Sequence, residues 1–310
     1  MVGAGIFSLP ARFGVATGPF GAIIAWIIAG GGMLALAFVF QSLAIRKPDL
    51  DAGIFAYAKA GFGNYLGFAA AFGFWAGTCL GNTTYFILIG STVGKLLPVF
   101  GEGNTLTSVA VSSVILWVVH VMILRGIKEA AFINTVVTVA KIVPIVLFIL
   151  IAAFAFKYDL FTASFWGGGE YSASEVFQQV RGTMLVTVFV FIGIEGASVY
   201  SRYARRREDV GWATVMGFVG VLGLLVLVTL LPYGIMERAE MAGLRQPSMA
   251  GVLGAVVGPW GTWLVSIGLI VSVLGAYLAW SLLAAEVLYS AARNELFPRA
   301  LARENANRVP

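Results

Sequence analysis

Cysteine and histidine are almost missing from this chain of 310 residues, each occurring once, as Cys79 and His120. One thiol excludes an internal disulfide framework, and one imidazole cannot by itself build a zinc or haem site. Charge is scarce as well. Charged residues make up 11% of the chain, against about 25% in soluble globular domains, which excludes an ordinary soluble protein. The GxGxxG spacing of a dinucleotide site does not occur. A net charge of +5 raises the question of nucleic acid, but the basic residues are spread over short stretches between apolar runs, which is a membrane-topology pattern.

What the chain has in quantity is apolar length. Hydrophobic residues make up 59% and the mean hydropathy is +0.91, so an all-α integral membrane protein is expected. Spans are predicted over residues 20–45, 64–98, 106–124, 130–156, 183–203, 212–236 and 258–290, as helices two to eight. Residues 1–15 form a partial first helix, too short to cross, so the start is expected to be incomplete. Strands are excluded because the runs lack period-two alternation and exceed the 9 to 11 residues of a barrel strand. The acidic and aromatic stretch PDLDAGIFAYAKAGFG, 48–63, suits a short interfacial helix.

Lysine and arginine set the orientation. Thirteen lie in the loops after even-numbered helices, among them Arg46, Lys47, Lys59, Arg125, Lys128, Arg205, Arg206, Arg207 and Arg293, and only five on the opposite side. The first side is expected to be cytoplasmic, with the amino terminus on the same side. The run at 205–207 reads as a topology anchor.

Polar groups at membrane depth are few, and each must be satisfied or functional. The segment Thr183 to Tyr200 is long enough to cross, yet Glu195 sits inside it, flanked by Gly193 and Gly196. A glycine-flanked acid in mid-membrane suits a discontinuous helix of the kind that builds transporter sites. Gly3-Ala4-Gly5 suggests a second break, in the first helix. Two breaks five spans apart suggest an inverted repeat, with unwound backbone and half-helix ends receiving the carboxylate and amine of an amino acid. Asn82 in the third span suits either a substrate polar group or an interhelical hydrogen bond. Lys141 lies in the fifth, where Pro144 leaves the carbonyl of Ala140 without its helical partner. His120 and Cys79 suit packing roles. Glu286 suits an inner gate or a water-facing position.

The segments GAGIFSLP, FQSLAIRKPDLDAGIFAYAKAGFGNYLGF, LRGIKEAAFINTVVTVAKIVP, VFIGIEGASVYS, PSMAGVLGAVVGPWG and LAWSLLAAEVLYSAARNELFP resemble the amino acid, polyamine and organocation superfamily. Within it they are most similar to the bacterial arginine/ornithine antiporters of the basic amino acid/polyamine antiporter branch. The resemblance covers the whole chain. It implies a LeuT-type (APC) inverted-repeat helical bundle working by alternating access. On that scheme 1–310 is a single transmembrane transporter domain, with 1–157 the first five-helix repeat, its start incomplete, and 181–310 helices six to eight of the second. Helices from the ninth onward are expected to be missing.

Carried over residue by residue, the resemblance implies that Gly3, Ala4 and Gly5 face the substrate carboxylate and that Ile192 and Gly193 surround its amine. Thr78, Asn82 and Tyr85 match positions that touch the substrate side chain in the related arginine/agmatine exchanger. Phe189 matches an aromatic that covers the substrate, and Trp280 one that gates from helix eight; a cation over such a ring gains about 0.5 to 2 kcal/mol. Glu195 matches a gate acid. Two departures set this chain apart from the exchanger: Ala4 replaces its serine, and Phe74 the tyrosine of its outer gate. Lys141 resembles the lysine that stands, in proton-coupled relatives, where sodium sits in sodium-coupled ones. It is either a proton carrier or a fixed structural cation.

The function implied is exchange of L-arginine for L-ornithine, with no catalytic residue, no metal and no cofactor. Proton-coupled uptake of lysine or arginine is the alternative within transport, and a non-transporting amino acid receptor the alternative outside it. The expected setting is a bacterial inner membrane. The expected partners are cationic amino acids and the lipid bilayer, without nucleic acid, and a homodimer is open.

Overall fold

The computed structural model describes residues 3–47, 50, 54–125, 130–194 and 207–305, without the side chains of 130–136 and 207–211. Among the described residues every regular element is helical and there is no strand. A 3-10 turn, Ala4–Ser8, leads into α1 (Leu9–Ala16), followed by α2 (Pro19–Arg46), α3 (Ile54–Phe62), α4 (Asn64–Val93), α5 (Leu106–Leu124) and α6 (Ala130–Phe154). Then come α7 (Tyr158–Ala163), α8 (Ala173–Phe189), α9 (Arg207–Leu230), α10 (Arg238–Ala242), α11 (Ser248–Val257) and α12 (Pro259–Arg293).

Local chemistry sets the boundaries. Prolines open α2 and α12 and sit in the first turn of α1, where the missing N–H costs nothing. Thr105 caps α5 by accepting from the Ser108 amide at 3.3 Å, and Ser172 caps α8 by accepting from Glu175. That cap starts α8 ten residues before the expected 183. The expected span 64–98 stops at Val93, and Pro98 opens a separate 3-10 turn. Within the stretch expected to be an interfacial helix, residues 54–62 are helical, as α3.

Five described segments are long and apolar enough to cross a membrane: Pro19–Arg46, Leu106–Leu124, Val137–Phe154, Trp212–Gly234 and Pro259–Arg293. Helix α4 has the length but is richer in glycine and hydroxyl residues. Its threonines are satisfied internally. Thr78, Thr83, Thr84 and Thr92 each donate to the carbonyl four residues back, at 2.7 to 3.1 Å.

The chain forms two compact units. The first comprises 1–35, 137–192 and 217–273. Here α1 packs on α8, α10 and α11, and its carboxyl end is met by side chains distant in sequence. The last carbonyls of a helix lack helical partners and carry partial negative charge. Arg238 supplies both needs, donating to the carbonyls of Gly14 at 2.9 Å and Val15 at 3.2 Å, and to that of Gly167. Tyr233, fully buried, donates to the carbonyl of Thr17 at 2.7 Å. Gln179 accepts from the Thr17 hydroxyl and the Gly18 amide, both at 3.0 Å, and donates to Trp166. Elsewhere in this unit the Pro144 ring of α6 sits against Gly268 of α12: a Cβ on Gly268 would lie 2.4 Å from Pro144 Cγ.

The second unit comprises 36–136, 193–216 and 274–310. Helix α3 lies on α4, and Phe55, Ala71, Leu283, Val287 and Ala291 form a buried core flanked by Phe74, Trp280, Leu296 and Phe297. Lys59 donates to the carbonyl of Asn294 at 2.7 Å, just past the end of α12. Asn305 does the same for Leu124, the last residue of α5, at 2.9 Å.

Tyr233→Phe keeps the buried ring but strands the Thr17 carbonyl. It should lower stability by about 1 to 3 kcal/mol, read as a reduced midpoint of thermal unfolding in detergent micelles. An unchanged midpoint would mean that another donor takes over.

Candidate functional site

Both glycine-marked stretches depart from α-helical geometry. Gly3 is extended, at φ −124° and ψ −152°, and the chain passes through the 3-10 turn before α1 begins at Leu9. At the other stretch α8 ends at Phe189. The amides of Phe191 and Ile192 then bond three residues back, to Val188 and Phe189, at 3.1 and 3.2 Å, a tightening common at helix ends. Gly193 follows with a φ of +106°, which a side chain tolerates poorly.

Within the first unit the two stretches meet. A Cβ on Gly5 would lie 3.1 Å from Val190 Cγ1, so the small residue lets the backbone come close. Ala4 is buried. The end of α8 is pinned by a line of rings: Phe13 stacks on Trp26 at 5.4 Å, Trp26 meets Phe191 edge-on at 5.8 Å, and Phe191 meets Phe218 at 5.0 Å. Phe191 is fully buried, whereas Phe189 and Ile192 on either side are 53% and 48% exposed. One aromatic anchors the turn and its neighbours are left presented. Lys141 is half-buried on α6 and makes no hydrogen bond or ion pair among the described residues.

In the second unit Phe74, Thr78, Asn82 and Tyr85 recur at helical spacing on one face of α4. Phe74 lies 6.0 Å from the Trp280 ring of α12. Asn82 Nδ2 donates to Ser281 Oγ at 3.3 Å, while Asn82 Oδ1 is sealed from solvent with no partner among the described residues. Thr78 is buried and its hydroxyl is turned back onto the carbonyl of Phe74 at 2.8 Å. Phe86 packs against Tyr277 at 4.8 Å.

Glu195, Gly196 and the arginines of 202–206 lie outside the described residues. His120 packs edge-on against Trp117 at 5.6 Å, and Cys79 is an exposed free thiol. Among the described residues no group of three His, Cys, Asp or Glu could hold a metal. Sequence reasoning passed over Phe191, Trp26, Tyr277 and Ser281. The last two carry a signal: Tyr277, Trp280 and Ser281 stand at i, i+3 and i+4, so three polar-edged side chains share one face of a long apolar helix.

A family model described as amino acid permease matches residues 1–310. An arginine/ornithine antiporter of Pseudomonas aeruginosa is 56% identical over the whole chain, which covers 64% of that relative. An L-lysine transport protein of Corynebacterium glutamicum is 49% identical over 98% of the chain and 61% of its own length. An arginine/agmatine antiporter of Chlamydia caviae is 41% identical over the whole chain and 65% of its own length. The chain thus spans a little under two thirds of these relatives.

Gly193→Ala should impose backbone strain of about 1 to 3 kcal/mol on the turn after α8. The expected result is a lower thermal midpoint than for the same substitution at Gly31, which meets nothing within 4 Å and lies in a regular helix. Equal effects at the two positions would argue against a strained turn.

Proposed function

The chain belongs to the amino acid permease family, and on that premise we propose that it acts as a secondary transporter exchanging basic amino acids, external L-arginine for internal L-ornithine, by alternating access. The observation that carries this is 56% identity, over all 310 residues, to a relative named arginine/ornithine antiporter. Arginine and ornithine each carry one net positive charge near neutral pH, so one-for-one exchange moves no net charge. The matched relatives are transporters, which supports reading this multi-pass membrane protein as a carrier and not an enzyme. Its proposed place is a bacterial inner membrane with the amino terminus cytoplasmic, from the excess of Lys and Arg in the loops after even-numbered helices.

Each proposed role follows from residue chemistry. Gly3, Ala4 and Gly5 offer backbone to the substrate carboxylate, and Ile192 and Gly193 receive its amine. Amides and carbonyls that leave helical pairing can serve an amino acid's two charged ends without any side chain. Phe189 is exposed and Trp280 is partly buried beside Phe74, and each is proposed to lay its ring over a cationic side chain. Asn82 and Tyr85 supply polar atoms to that side chain and Thr78 lines the same face of α4. Phe74 gates through its contact with Trp280, and Glu195 is the gate acid. A homodimer is the proposed assembly.

A second reading is favoured by Lys141, a half-buried cation without an ion pair among the described residues, and by the 49% identity to a lysine transport protein. In it Lys141 loads and releases a proton and drives uptake of a basic amino acid. Labelled arginine uptake into proteoliposomes separates the two. Exchange predicts uptake only into vesicles preloaded with ornithine, indifferent to a pH gradient and retained in part by Lys141→Ala. Uptake into empty vesicles that follows the gradient and is lost in Lys141→Ala would overturn exchange in favour of proton coupling.

A further inference from the structure

Asn82 of α4 is tied to α12 by a hydrogen bond to Ser281. Its Nδ2 donates to Ser281 Oγ at 3.3 Å, and Tyr277 stands one turn before Ser281 on the same face of α12. Tyr277 is 7% exposed and held by Phe86, whose ring lies 4.8 Å away. A serine hydroxyl has one proton to give. When Ser281 gives it to Tyr277, its lone pairs face Asn82 and the only group Asn82 can offer in return is an N–H. The amide is thereby fixed with its oxygen turned away from Ser281, and that oxygen is sealed from solvent without a partner among the described residues.

Reversal of these bonds reverses the amide. If Tyr277 donated to Ser281 and Ser281 to Asn82 Oδ1, the free end of Asn82 would carry two N–H donors. An ammonium or guanidinium has donors only and needs an acceptor, whereas a neutral ureido or amide group can bring a carbonyl to an N–H. A free amide oxygen therefore favours the cation, whose charge-assisted bond is about twice as strong as that of a ureido N–H, whereas a free N–H end favours the neutral carbonyl.

We propose that Ser281 and Tyr277 are positioning residues that hold the Asn82 oxygen free for the terminal ammonium or guanidinium of the substrate, and so set the preference for cationic over neutral side chains. This rests on the reading that the protein carries basic amino acids and that Asn82 meets their side chains. It adds two residues that act through Asn82 and do not themselves touch substrate.

The test uses the protein in ornithine-loaded proteoliposomes, with labelled arginine as substrate and citrulline, its neutral ureido counterpart, as competitor. Ser281→Ala should raise the KM for arginine about tenfold, the size of one hydrogen bond to a charged group, with little change in maximal rate, and should strengthen inhibition by citrulline. Ser281→Thr, which keeps the hydroxyl, should restore the discrimination. Tyr277→Phe, which keeps the ring, should shift it in the same direction as Ser281→Ala. In an Asn82→Ala background the effect of Ser281→Ala should vanish, since the two act as one unit. The proposal is overturned if Ser281→Ala and Tyr277→Phe leave the preference for arginine over citrulline intact, or if Ser281→Ala lowers the maximal rate without moving it. Absence of any arginine uptake or binding by the unmodified protein is the separate outcome that removes the transport reading and this proposal with it.

Discussion

A backbone amide or carbonyl that leaves helical pairing inside a bilayer has no water to turn to, and most of what is distinctive here answers that constraint. Ordinary spans solve it by staying helical throughout. Where the chain does not, at Gly3–Ser8 and after Phe189, groups are exposed that must bond to the protein or to a ligand. Bonds to carbonyls three residues back serve the amides of Phe191 and Ile192, and among the described residues of these two stretches Gly193 adopts a conformation that a side chain would resist.

Rigidity around a break comes from apolar packing on one side of it. Phe191 is locked into the Phe13–Trp26–Phe218 line, so the turn is fixed while Phe189 and Ile192 remain accessible. The far end of α1 is treated in the opposite way. There Arg238 and Tyr233 donate to the carbonyls of Gly14, Val15 and Thr17, Gln179 accepts from Thr17 and Gly18, and a charged guanidinium sits on the negative end of a helix dipole. Two helix ends in one unit thus have different chemistry. One is closed by side chains, and the other runs on to Gly193, whose φ of +106° a side chain would resist.

The sequence made the spans and the breaks legible because both are written locally, in apolar length and in glycine. Leu106–Leu124 matches the expected limits, and α3 lies where acids and aromatics implied an interfacial helix. What the sequence hid is pairing at a distance. Tyr233 and Thr17 are 216 residues apart, Arg238 and Gly14 are 224 apart, and Asn82 and Ser281 are 199 apart, so no spacing rule could join them. The early start of α8 was missed because residues 173–182 are too polar to look like a span, although Ser172 with Glu175 carried a capping signal. Thr78, matched by resemblance to a position that touches the substrate side chain, donates its hydroxyl to a carbonyl of its own helix and shares its α4 face with Asn82 and Tyr85, a pairing within the helix that the resemblance does not reveal.

Selectivity for a cation in an apolar setting is usually credited to rings and acids, but neither specifies the direction of a hydrogen bond. A ring attracts any cation, and a carboxylate attracts any donor. An amide is different, because it offers an acceptor at one end and donors at the other, and only its neighbours decide which end is turned toward a ligand. Asn82 would be ambiguous by itself. Bonded through its Nδ2 to Ser281 of α12, it turns away from that bond an oxygen that is sealed from solvent and has no partner among the described residues, and an acceptor so placed answers a charged N–H donor more strongly than a neutral one.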